Sequence, residues 1–233
     1  VMLSVFHNRR WDGDYLAVRR ALAATAESSL GRLVRIRAWV YSPRAASPEK
    51  WRAQRSHGGG VFSDWGAHLM DQALELHPGV VESVSCQMLH ALESVDVETS
   101  ALCVLRFDDG TGHVIETNQR YHEAGKGYEL WGTDGRLVIT GFDPRENMLN
   151  REVLGADRRG PAYEARLYRH DAQPLELDPP PPGDWAAYYR GIAAHLLHGR
   201  PLPVTPESVI RMMRLREAAF ESATRGVTIT TSM

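Results

Sequence analysis

Three consecutive glycines, Gly58 to Gly60, restrict what this chain can fold into more than any other stretch of the sequence. Glycines continue a helix or strand only at a cost, so this run predicts a loop whose backbone approaches another group closely. Ser63 or Asp64 is expected to cap the helix that follows. Asp64 and His68 are four residues apart, which predicts a carboxylate and an imidazole on one helix face.

A carboxylate beside an imidazole orients the ring and raises its pKa, which suits general acid–base catalysis near neutral pH. The alternative is that Asp64 is only a helix cap and His68 a hydrogen-bonded structural histidine. A second alternative is a metal site, because an acid and a histidine four residues apart can share one ion. Its four candidate ligands are His57, Asp64, His68 and Asp71. A third histidine or glutamate in a recognisable zinc motif is not evident, so no metal is expected.

The complete pattern is more specific than the Asp64–His68 pair. Three glycines are followed by Asp64, Gly66, His68 and Asp71 at fixed spacings. This pattern resembles the signature of the Gfo/Idh/MocA oxidoreductases, whose members include glucose–fructose oxidoreductase and inositol dehydrogenases. The resemblance extends over nearly all 233 residues. It implies a dinucleotide-binding domain followed by an open-faced sheet domain that carries the catalytic Asp64 and His68.

The first thirty residues predict a strand, Val1 to Phe6, and then a helix. By the same resemblance, residues 1–30 are the last strand–helix unit of a Rossmann domain that is otherwise absent. The sequence around Asn8 and Arg9 is similar to that of the NADP-dependent scyllo-inositol dehydrogenase branch of the family, in which the matching residues lie beside the substrate. Arginine suits that place because it donates rigid, paired hydrogen bonds. A solvated or salt-bridged arginine pair is the alternative.

No strand–Gly-x-Gly-x-x-Gly–helix unit occurs in the sequence, and the Glu-Lys-Pro motif that carries the family's catalytic lysine is not found. We therefore expect NAD or NADP to be bound mainly by the absent domain, with cofactor-binding residues in this chain unknown. The 233-residue chain alone is predicted to be inactive.

From residue 31 to residue 233 we expect one α+β domain, an open-faced, predominantly antiparallel sheet with helices on one face, like the C-terminal domain of dihydrodipicolinate reductase. Residues 34–41 alternate between apolar residues and an arginine/aromatic face, which predicts a strand. By the resemblance this strand runs beneath the substrate, so Trp39 is a candidate substrate-binding residue; simple packing is the alternative. Further strands are predicted by alternation and hairpin turns. They are expected at residues 80–92, 98–107, 113–121, 128–131 and 136–140.

The remaining segments are assigned more simply. Asp157 to Pro182 is polar and ends in four prolines, which predicts a stiff connector. Helices are expected from Trp185 to Leu197 and from Thr205 to about Ala223, followed by a closing strand. Cys86 and Cys103 fall in apolar runs and are expected to be buried, reduced thiols. By the resemblance, the open sheet face forms a homodimer or homotetramer.

Composition excludes some partners. The net charge of −2 gives no indication of a nucleic-acid partner, and no apolar run is long enough to span a bilayer. A cytoplasmic protein is expected.

The resemblance thus implies the catalytic and oligomerisation part of an NAD(P)-dependent oxidoreductase acting on a sugar or polyol. A stand-alone assembly or sugar-binding module without redox activity is the alternative from another class.

Overall fold

A mixed nine-stranded sheet organises the chain, as a computed structural model shows for residues 2–23, 30–43, 47–119, 124–145, 163–170 and 172–233. Its strands are β1 Leu33–Ser42, β2 Val81–Leu89, β3 Ser100–Phe107, β4 Gly112–Gln119, β5 Gly125–Gly132, β6 Gly135–Thr140, β7 Glu164–Arg169, β8 Leu175–Leu177 and β9 Ile229–Thr230. They lie in the order β8-β7-β6-β5-β1-β4-β3-β2-β9. Every pair is antiparallel except β1 and β4, which are parallel.

Four α-helices accompany this sheet in the described part of the chain. They are α1 Gly13–Ala23, α2 Ala67–Leu76, α3 Ala186–His198 and α4 Pro206–Arg225. Short 3₁₀ turns occupy Asn8–Trp11, Trp51–Ala53 and Arg55–His57, and one π-helical turn, Phe62–Gly66, precedes α2. None of the described helices is both long and apolar enough to cross a bilayer.

Alternation along β1 determines which face of the sheet is covered. Ile36, Ala38 and Val40 are buried in the core together with Leu69 and Met70 of α2. Because successive side chains of a strand point to opposite faces, the intervening residues lie on the face away from the helices. This confirms the α+β class and the arginine/aromatic face of the strand.

Helix ends and cysteines follow the sequence expectations. The Thr205 side chain accepts a hydrogen bond from the Ser208 amide at the start of α4, and Gly226 ends that helix in the left-handed conformation at φ 65°. Cys86 and Cys103 lie opposite each other on β2 and β3 as buried, free thiols. The predicted start of this last helix at Thr205 and the reduced thiols are confirmed.

Two expectations about connections need correction. The five strands expected between residues 80 and 140 do not all pair with their neighbours in sequence, because β1 inserts between β4 and β5. The proposed connector from 157 to 182 is partly sheet: β7 and β8 form an edge hairpin, since Ala165 and Leu167 alternate with charged neighbours. Residues 146–162 lie outside the described part of the chain.

The expected N-terminal strand is also absent. Residues 2–7 are described but join no strand, and Leu3 and Phe6 are 62% and 42% exposed. A strand needs a hydrogen-bonded neighbour, and none of the described strands provides one. The helix that follows ends at Ala23 in the described chain, and the domain division at residue 30 remains a prediction.

Candidate active site

Close packing explains the glycine loop, but the group it approaches is Glu98. Gly60 has φ 116°, and a Cβ atom there would lie 2.1 Å from Glu98 Oε1. The same Oε1 accepts hydrogen bonds from the amides of Phe62 at 3.0 Å and Ser63 at 3.3 Å. Glu98 therefore satisfies the free amides of the first turn, which a capping side chain would otherwise do. The prediction that Ser63 or Asp64 caps the helix is wrong, because neither makes a cap hydrogen bond.

The expected pairing of Asp64 with His68 is not formed. Arg52 Nε donates to Asp64 Oδ2 at 2.7 Å, and the Asp64 side chain is 25% exposed. Within the described residues, no hydrogen bond or ion pair joins Asp64 to His68. Asp64 therefore does not orient the imidazole in this structure.

Burial and neighbouring cations set the protonation state of His68. Burial is the main cause that lowers the pKa of His68 to about 3, and Arg9 and His7 lower it further against the opposing effect of Asp12 and Asp71. The expectation of a raised pKa is therefore wrong. With this pKa the ring is neutral at pH 7, and its Nδ1 is buried without a hydrogen-bond partner in the described chain. A neutral imidazole can accept a proton but has none to give as an imidazolium.

The structure brings Arg9 to the same place as His68. The Arg9 guanidinium lies 4.4 Å from the Trp65 ring centre and 5.3 Å from that of Trp185. Trp65 in turn packs edge-on to His68, with 6.3 Å between ring centres. The ring of His7 lies 5.5 Å from His68 on another side. Asn8 shares the 3₁₀ turn Asn8–Trp11 with Arg9.

A buried ion pair fastens this turn to α2. Arg10 binds Asp71 through two parallel hydrogen bonds, Nε to Oδ2 at 2.8 Å and Nη2 to Oδ1 at 2.7 Å. Gln72 Nε2 also donates to the Arg9 carbonyl at 2.5 Å, and Tyr128 donates its hydroxyl to Gln72 Oε1. Asp71 is thus a buried residue that ties the Asn8–Trp11 turn to α2.

A buried lysine beneath the turn was missed by sequence reasoning. Lys126 is 1% exposed, and its Nζ lies 2.5 Å from Asp12 Oδ2 and 2.9 Å from Asp14 Oδ2. Burial would lower the pKa of Lys126, but the two carboxylates raise it, so the ammonium stays charged. A signal was available: Lys126 is one of two lysines in the sequence and stands two residues before Tyr128 in a strand.

Trp39 lies apart from His68 and Arg9. It belongs to the sheet face away from the helices, and its ring fills the space over Gly127, where a Cβ atom would lie 2.6 Å from Trp39 Cζ2. Arg37 stacks on it at 4.9 Å. It also lines a shallow pocket of about 140 Å³ with Thr140, Phe142 and Glu164. The structure therefore does not bring Trp39 together with His68, because residue 39 has the opposite strand parity to the core-facing residues.

Three of the four residues of the metal alternative have separate partners. Asp64 binds Arg52, Asp71 binds Arg10, and His57 Nδ1 lies within hydrogen-bond distance of the Ser56 hydroxyl. Among the described residues one other group, His77, Asp108 and Asp109, has potential ligand atoms within 4.8 Å of one another. Asp108 and Asp109 already accept hydrogen bonds from the amides of Val80 and Thr111.

Comparison with known proteins supports the interpretation of the signature. Residues 18–138 match the sequence profile of the GFO/IDH/MocA C-terminal domain. The chain belongs to the Gfo/Idh/MocA family. It is 31% identical to scyllo-inositol 2-dehydrogenase (NADP(+)) IolW of Bacillus subtilis (strain 168), covering 98% of this chain and 64% of that protein. The predicted resemblance is thereby confirmed.

Two longer proteins of known structure share the fold of this chain. The yvaA protein of Bacillus subtilis superimposes with a TM-score of 0.82 at 25% identity, over 100% of this chain and 67% of that one. An NAD-binding protein from Listeria innocua gives a TM-score of 0.78 at 25% identity, over 98% and 63%. The chain therefore spans about two thirds of the length of these proteins and of the scyllo-inositol dehydrogenase.

Proposed function

We propose that this chain is the substrate-side and oligomerisation part of an NAD(P)-dependent oxidoreductase that acts on a hydroxyl or carbonyl of a sugar or inositol-like polyol. The observation that carries the proposal is a neutral, partly exposed His68 beside the Arg9 guanidinium, at the place where the family signature meets the Asn8–Trp11 turn. The names of relatives support the class, since one is a scyllo-inositol dehydrogenase that uses NADP(+).

His68 is the proton-transfer residue in this proposal. Its lowered pKa keeps the imidazole neutral at pH 7, so it accepts the proton of the reacting hydroxyl during oxidation. The bound nicotinamide supplies the acceptor for the hydride. An imidazole nitrogen without a partner in the described chain fits a site whose hydrogen bonding a ligand completes.

Asp64, Arg9 and Asn8 hold the substrate. The partly exposed Asp64 carboxylate accepts a hydrogen bond from a hydroxyl next to the reacting one, while Arg52 fixes its position. Arg9 and Asn8 bind the opposite side of the polyol, and the stacked tryptophans keep the guanidinium rigid. Trp39 has no part in this arrangement.

The dinucleotide is bound mainly by residues outside this sequence. The sequence contains no Gly-x-Gly-x-x-Gly unit, and the relatives are about half as long again as this chain. Hence we expect no hydride transfer from the 233 residues alone. The choice between NAD and NADP depends on those other residues.

Assembly through the open sheet face completes the proposal. That face exposes Leu102 and Val104 at 41% and 38%, which supports burial against a second copy. A cytoplasmic location remains a prediction.

The deciding experiment uses a protein that joins these residues to their dinucleotide-binding domain. We would follow the absorbance of reduced nicotinamide with scyllo-inositol as the probe substrate, and measure scyllo-inositol binding by calorimetry in parallel. The proposal expects both binding and reduction of NAD or NADP. Binding of the polyol without any reduction would instead favour the stand-alone binding module.

A further inference from the structure

Lys126 is a buried charge that the proposed reaction does not use. Lysine is almost never fully buried unless it is paired, and removing an ammonium from water costs several kcal/mol per ion. Lys126 Nζ nevertheless lies between Asp12 and Asp14, which are both 0% exposed. Such a costly arrangement needs a reason beyond filling space.

The contacts of Asp12 lead from Lys126 to the candidate substrate residue. Asp12 Oδ2 binds Lys126 and lies 3.4 Å from Arg9 Nη1, while Asp12 Oδ1 accepts a hydrogen bond from Trp185 Nε1 at 2.8 Å. The Trp185 ring also stacks on the Arg9 guanidinium. Asp12 therefore fixes Arg9 directly and through the tryptophan.

Asp12 itself is held in place by its ion pair with Lys126. The lysine reaches it from β5, 114 residues away in sequence, and so ties the Asn8–Trp11 turn to the sheet. Asp14 shares the ammonium and also accepts the Tyr15 amide at 2.8 Å, which anchors the start of α1. Lys126 thus balances the charge of both carboxylates, of which Asp12 also contacts Arg9.

We propose that Lys126 is a positioning residue for substrate: it holds Asp12, and through Asp12 it presents Arg9 to the polyol beside His68. This inference rests on the proposed function of the site. Without the ammonium, Asp12 and Asp14 face each other with Arg9 as the nearest remaining cation. The guanidinium then turns inward to compensate them and leaves the substrate.

The test is steady-state kinetics and scyllo-inositol calorimetry on the complete enzyme carrying Lys126→Met. Loss of a charged hydrogen bond to substrate predicts a KM and a Kd that rise about ten- to hundredfold, with kcat within about threefold of wild type. Ser222→Ala is the matched control. Ser222 is a buried polar residue that bonds to Cys86 and Val227, far from Arg9, and its loss lowers stability without changing KM.

A second variant separates positioning from folding. Lys126→Met combined with Asp14→Asn removes one charge of each sign, so thermal stability returns towards wild type while Asp12 still lacks its tether. The positioning role expects KM and Kd to stay raised in this double variant. Recovery of KM and Kd together with stability, or values within twofold of wild type in either variant, would overturn it. If the complete enzyme binds scyllo-inositol but does not reduce NAD or NADP, only the proposed reaction is refuted. The Kd values of the variants still test the role of Lys126 in that case.

Discussion

The buried Arg10–Asp71 pair permits a quantitative prediction about what holds the Asn8–Trp11 turn on α2. Asp71→Asn keeps the shape of the side chain but removes the charge that balances Arg10, whose side chain is 9% exposed. Leaving one partner of a buried pair without its countercharge costs about 3–5 kcal/mol. Glu75 lies 3.2 Å from Arg10 Nη1 and Ser208 accepts from Nη2 at 3.1 Å, so the lower end, about 3 kcal/mol, is expected.

Chemical denaturation with urea and thermal melting measure this effect. For a chain of 233 residues, each kcal/mol lowers the melting temperature by about 2–4 °C, so a fall of roughly 6–12 °C is expected. Glu75→Gln is the matched control: it removes a 38% exposed partner of the same guanidinium, and should cost about 0–1 kcal/mol. An Asp71→Asn variant no less stable than Glu75→Gln would refute the reasoning.

Two further predictions concern stability. Gly60→Ala should lower the free energy of unfolding by several kcal/mol, measured by urea denaturation, because its φ is 116° and the new methyl would lie 2.1 Å from Glu98. Gly58→Ala, at φ 74° with open space around it, should lower it by only about 1 kcal/mol. His113 has its pKa lowered from 6.5 to about 3, by burial first and then by His77. Unfolding therefore takes up a proton between these pH values, and stability falls as pH drops through that window. His113→Leu should remove a slope of about 1.4 kcal/mol per pH unit there; an unchanged slope would contradict the assignment.

Local periodicity predicted much of the sheet. Most strands from β1 to β6 alternate between a buried and a solvent-facing side, and Asp-Gly pairs mark the turns after β3 and β5, so neighbouring residues contain the information. The position of β1 between β4 and β5 could not be predicted this way, because it depends on pairing between segments more than 70 residues apart. The hairpin of β7 and β8 was hidden by its polar composition at the sheet edge.

The candidate site was only partly predictable for the same reason. The spacing of Asp64 and His68 predicted a helical segment, which the π-turn Phe62–Gly66 and α2 form, but the partners of the two residues come from other parts of the chain. Arg52 binds the Asp64 carboxylate. Burial of His68, and after it the nearby Arg9, lowers the pKa of the imidazole instead of raising it. Lys126 is 114 residues from the acid it binds, so only its rarity and strand position could have drawn attention to it.

The central claim is that His68 transfers the proton of the reacting hydroxyl, and turnover of the complete enzyme carrying His68→Ala tests it most directly. His170→Ala, an exposed histidine beyond β7, is the control. The account predicts that His68→Ala loses about two to four orders of magnitude in kcat, that added imidazole restores part of the loss, and that His170→Ala is unaffected. Turnover of His68→Ala within tenfold of wild type would contradict the claim.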